Sequence, residues 1–105
     1  MNEELILGTE AKIELEIKPI SGISADVFDW VVELYTNPKK RLSISKYECS
    51  PIEGTDRSYY VPFDTSAVGV GELTAEVVAE VPDTLFSDRL RTERVRIEAI
   101  TTIIP

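Results

Sequence analysis

The chain has 105 residues, 43% of them hydrophobic, and 11 Lys and Arg against 19 Asp and Glu give a formal net charge of −8. That length suffices for one domain with its own core, residues 1–105, and charges interleaved with apolar residues are not the composition of a disordered chain. The acidic balance argues against a sequence-independent grip on nucleic acid or an anionic membrane, and with no His and one Cys the chain lacks the commonest general base, an internal disulfide and a thiolate zinc site.

In chain order, the opening MNEELILGTE begins with acid where a secretory signal carries Lys or Arg, and Leu5-Ile6-Leu7 is too short for a signal core. No apolar run approaches the roughly 20 residues that span a bilayer. The expectation is a protein made in the cytoplasm without membrane insertion, which leaves, if at all, inside an assembly. From 11 to 18 every odd residue is apolar and every even one charged, which predicts a strand with one dry and one wet face. Weaker strand signals follow at 28–36, 42–47 and 57–63, separated by Ser21-Gly22, Asn37-Pro38 and the 53–56 turn. Pro62 inside the third of these predicts a sheet edge or a bulge. Asp64 to Val68 suits one helical turn, Gly69-Val70-Gly71 a tight turn, and 72–81 a second alternating strand closed by Pro82-Asp83. Residues 84–90 suit at most a helical turn, the β-branched residues of 95–104 predict a last strand, and 92–103 could form a hairpin with 72–81.

Six or seven short strands at this spacing predict an all-β fold, an antiparallel immunoglobulin-like β-sandwich of about seven strands, with a small closed barrel as the alternative. Its expected core is Ile13, Leu15, Ile17, Trp30, Val32, Leu34, Leu73, Ala75, Val77, Val95 and Ile97, with Phe28 beside Trp30.

Residues with chemistry are read against plainer roles. Asp26, Asp29, Asp83 and Asp88 flank two turns and are hard oxygen ligands of the kind calcium takes, but their spacing matches no calcium loop and Asp caps turns. Glu14, Glu16, Glu72, Glu76 and Glu80 fall on the wet parity of their strands, which predicts a solvated comb and not a catalytic carboxylate pair. Lys39-Lys40-Arg41 is expected on a solvated hairpin tip, and Cys49 as a small hydrophobe. Arg89, Arg91, Arg94 and Arg96 crowd after the acidic strand, so that Glu76 and Glu80 oppose Arg94 and Arg96 across the hairpin. Val31, Val78, Ile100 and Ile104 share the wet parity and are the candidate interface, an apolar strip that a partner protein would cover.

The segment from Asp64 to Leu73, continued by Val81-Pro82-Asp83-Thr84-Leu85-Phe86-Ser87-Asp88 and Arg91-Thr92-Glu93, resembles short uncharacterised proteins of Bacteroidales phage and prophage regions. More remotely it is similar to the immunoglobulin-like N-terminal domains of phage baseplate proteins. The shared frame is an acidic corner ending in GxGxL, an alternating strand, then PD, F and RTE elements. The resemblance implies a structural part of a virion, and it implies no catalytic or cofactor-binding residue.

Together these readings predict a non-enzymatic structural or protein-interaction module of a tail, baseplate or neck, with no cofactor and no metal. Its partners are expected to be proteins, either copies of itself or other virion components, and not nucleic acid. The alternative is a ligand-binding sandwich, for calcium or for glycan through Trp30, Tyr35, Tyr59 or Tyr60.

Overall fold

A computed structural model describes residues 4–17, 28–55 and 57–105, with Glu98 and Ala99 described by their backbone alone. Lys18, the Ser21-Gly22 turn, Asp26 and Asp56 lie outside the described residues. The period-two segments become strands, and alternate side chains go to opposite faces. They are β1 (Glu4–Ile6), β2 (Glu10–Glu16), β3 (Asp29–Asn37), β4 (Lys40–Ser45), β5 (Ser50–Pro51), β6 (Ser58–Asp64), β7 (Gly71–Pro82) and β8 (Leu90–Ile104). A five-stranded sheet in the order β1-β8-β7-β3-β4 packs against a three-stranded sheet in the order β2-β6-β5, an all-β sandwich.

The core lies between the two dry faces. Ile13, Leu15 and Ile17 meet Trp30, Val32 and Leu34 and the Leu73, Ala75, Val77, Ala79 and Val81 series, and the Trp30 ring stands edge-on to Tyr59 at 4.8 Å. Phe28 is buried beside them.

Four details depart from expectation. The larger sheet is mixed, because β1 pairs parallel with Thr102, Ile103 and Ile104. β1 leaves through the Leu7-Gly8 turn for one sheet while β2 enters the other, so no hairpin imposes antiparallel pairing on it. Pro62 sits in the middle strand of its sheet in unbroken register with Lys12, neither edge nor bulge. β5 pairs only Tyr59 and Tyr60, so beyond them one side of β6 has no ladder to lose. Residues 84–89 form two consecutive turns and not a helical turn, closed by Asp83 N–H to Arg89 O at 2.9 Å, and Leu90 already belongs to β8.

The fourth departure is Val95. It pairs with buried Val77 on the core-facing side of β8, yet it is 50% exposed. Three strands span about 10 Å across the hydrogen-bonding direction and five span about 19 Å, so the smaller sheet does not reach over β8 along its length.

Two local devices hold the end of the sandwich where the chain crosses from β6 to β7. Asp64 caps the 3-10 turn Thr65–Ala67 by accepting the Ser66 N–H. Fully buried Thr65 accepts the Gly8 N–H at 2.9 Å and donates its hydroxyl to Thr9 O at 2.9 Å, tying this turn to the link between β1 and β2. Gly71 follows at φ +135°, where a Cβ would come within 3.2 Å of the Thr36 Cβ, so only glycine lets β7 start against β3.

Candidate functional site

The outer face of the five-stranded sheet carries the densest polar chemistry among the described residues. Strand pairing puts Glu33 of β3 directly opposite Glu76 of β7, and Glu76 opposite Arg96 of β8. Two carboxylates facing each other across a ladder repel, so the site is stable only with cations over it. Arg41 supplies one: its Nη1 lies 3.1 Å from Glu33 and 3.0 Å from Glu76. Arg94 bridges the same two acids at 3.7 and 3.0 Å, and Arg96 reaches Glu76 at 3.6 Å. The Tyr35 hydroxyl donates to Glu76, and its ring lies under the Arg41 guanidinium at 4.2 Å.

Glu76 is consequently 5% exposed, and its carboxyl is held below the usual glutamate range. The chief cause is the hydrogen bond from Arg94; burial opposes it, and Arg41 and Arg96 add to it. This overturns the reading of Glu76 as one tooth of a solvated comb. Glu14, Glu16 and Glu72 do remain exposed. Arg41 is likewise no loop residue. The hairpin turn is only Pro38 and Lys39, and a register shift in β3 between Leu34 and Asn37 lets Arg41 fold back over the sheet. Of the expected cross-hairpin pairs, Glu76 meets Arg94 and Arg96, whereas Glu80 is opposite Thr92 and accepts its hydroxyl at 3.1 Å. Three guanidinium groups, those of Arg41, Arg94 and Arg96, thus converge on the two facing carboxylates.

The four candidate interface residues do not form one strip. Val31 and Val78 are register partners on the outer face. They floor a shallow depression of about 280 Å³ that Asp29, Lys46, Tyr47 and Glu80 also line. Ile100, beyond the irregular stretch of β8, packs against the core, and Ile104 lies at the far end of the sheet opposite Ile6. Among the described side chains of β8, Val95 is the aliphatic one most open to water, accompanied at the hairpin tip by exposed Leu85, Phe86 and Leu90. Parity hid it, because parity assigns a residue to a face and says nothing of whether that face is covered.

Among the aromatic residues considered for glycan stacking, Trp30, Tyr35 and Tyr59 are buried, and Tyr60 lies under Lys12 Nζ at 4.3 Å. The most exposed aromatic among the described residues is Tyr47, 81% accessible on the one-turn 3-10 segment Lys46–Glu48, with its hydroxyl 3.3 Å from Asp29. Asp83 accepts the Leu85 N–H and pairs with Arg91 at 3.1 Å, and Asp88 accepts the Leu90 N–H, so both act within the β7–β8 hairpin. Among the described residues no three acidic or thiol groups converge as a metal would need, and Asp26 lies outside them. Cys49 is buried, with its thiol 3.4 Å from Ser45 O and its pKa pushed up to about 11, mainly by burial. No described helix is long and apolar enough to cross a membrane.

Comparison of the chain with family models, curated proteins and solved structures returns no match.

Proposed function

We propose that the chain is a non-enzymatic protein-interaction module of immunoglobulin-like type and a structural part of a phage-type particle, in its tail, baseplate or neck. The interaction role is carried by one observation: the β7–β8 hairpin reaches past the smaller sheet, leaving Val95 at a core-facing position half in water, with Leu85, Phe86 and Leu90 exposed at its tip. Covering one aliphatic or aromatic side chain contributes about 1.5–3 kcal/mol, so a partner seated here has a substantial driving force. The immunoglobulin-like assignment is supported by strand order. In that scheme β2, β6 and β5 take the places of the B, E and D strands, and β8, β7, β3 and β4 those of G, F, C and C′. The non-enzymatic reading is supported by the lack of any His and by a sole Cys that is buried with a raised pKa.

The particle role is supported by the resemblance of the segments 64–73, 81–88 and 91–93 to phage and prophage proteins. It is tested by mass spectrometry of particles purified from the source strain. The chain is expected in the particle fraction in proportion to known virion components; its confinement to the soluble fraction overturns the role. Flanking tail or portal genes agree with it, and flanking polysaccharide-utilisation genes count against it.

A further inference from the structure

The facing pair of Glu33 and Glu76 has a counterpart further along the same ladder. Asp29 of β3 is in register with Glu80 of β7, so two carboxylates again stand opposite each other on the outer face and repel. Arginines close over the first pair, whereas among the described residues neither Asp29 nor Glu80 makes an ion pair. Their partners are neutral hydroxyls, that of Tyr47 at 3.3 Å from Asp29 and that of Thr92 at 3.1 Å from Glu80.

These acids rim a groove with an apolar floor. Val31 and Val78 lie between the two carboxylate rows and floor the depression of about 280 Å³, and the 81% exposed Tyr47 stands at its side. An adjoining hollow shares Asp29, Tyr47 and Glu80 and ends on Pro82 and Leu90, so apolar residues flank the carboxylates at both ends. Lys46 lines the groove as well, but its ammonium donates to Phe28 O at 2.9 Å and pairs with neither acid. An occupant that fits must bring positive charge to two facing carboxylates, aliphatic surface to two valines and a cation to the neighbourhood of a tyrosine ring. A long basic side chain supplies all three, with its methylene stem on the valines and its charged head at the acids. The net charge of −8 favours the approach of a basic partner over that of an acidic one.

We infer that this groove is a docking site for a lysine or arginine side chain of a partner protein, carried on a segment with apolar residues on either side of it. The inference adds a second contact to the protein-interaction reading and does not use Val95 or Leu85, so the failure of either leaves the other standing.

The probe is the peptide acetyl-Gly-Val-Lys-Val-Gly-amide, compared with the same peptide carrying norleucine or Glu in place of Lys. Each is titrated into isotope-labelled chain and followed by amide chemical shifts. The Lys peptide is expected to bind at least about tenfold more tightly than either control, to shift residues 29–31, 45–47 and 78–80, and to weaken as salt is added. Asp29→Asn combined with Glu80→Gln, with the fold checked by circular dichroism, should weaken it by about tenfold. Tyr47→Ala should weaken it by about threefold while Tyr47→Phe binds as wild type, because the ring and not the hydroxyl faces the cation. Leu85→Asp should leave it unchanged. Equal binding of the norleucine peptide, shifts confined to other residues, or no binding at all overturns the inference. Butylamine binding as tightly as the peptide assigns the groove to a free amine, and light scattering that shows the peptide-free chain to be a dimer, split by Tyr47→Ala, assigns it to a second copy; either result overturns the partner proposed.

Discussion

Replacing Glu76 with Gln keeps the size of the side chain and removes the charge on which three arginines converge. Arg41 and Arg94 each approach Glu76 at 3.0 Å, and a hydrogen bond to a charged group contributes about 1.5–3 kcal/mol. Both arginines reach water, Arg94 with more than half its side chain, and the Gln carbonyl still accepts one bond. The loss is therefore about 2 kcal/mol, less than the roughly 3–5 kcal/mol of a fully buried pair. At about 4–8 °C per kcal/mol for a domain of this size, the melting temperature of Glu76→Gln falls by about 8–16 °C at neutral pH. The pH dependence has a definite sign. The folded carboxyl titrates below the ordinary value of 4.5, so its contribution is complete above that value and is lost as pH falls through the depressed folded value. Thermal melts of the two proteins across acid pH should run parallel above about pH 5 and converge below it. A variant within about 0.5 kcal/mol of wild type at neutral pH, or a gap that persists undiminished into strong acid, would refute the account of the buried carboxylate.

Two further outcomes follow from groups whose partners are visible. Thr65→Val removes from a fully buried position the hydroxyl that accepts the Gly8 N–H and donates to Thr9 O, and should cost about 1–3 kcal/mol. Urea unfolding should show a lower midpoint at unchanged slope, with Thr65→Ser restoring most of it. Millimolar calcium should leave the melting temperature unchanged, because Asp83 and Asp88 are engaged within the β7–β8 hairpin. A site filled at a hundred times its dissociation constant would add about 2.7 kcal/mol, and a shift of several degrees abolished by Asp83→Asn would contradict this reading.

What the sequence determined by itself was everything that depends on local period. The alternation of Ile13, Leu15 and Ile17, and of Leu73, Ala75 and Val77, places these residues on one face of a strand whatever the strand pairs with, and all six are buried. Turn chemistry at Asn37-Pro38 and the acidic corner at Asp64 are local in the same way, since each is decided within a few residues. Only the tertiary structure decided what lies over each face. Glu76 has the parity of a solvated residue, and it is buried because arginines 35 positions before it and 18 after it close over it. Val95 has the parity of a core residue, and it is exposed because three strands cannot cover five. Thr65 likewise shows its role only beside Gly8, 57 positions away in the chain. Burial belongs to two layers and not to one strand, so period alone assigns a side chain to a face, and only the packing of the second layer settles whether that face meets water.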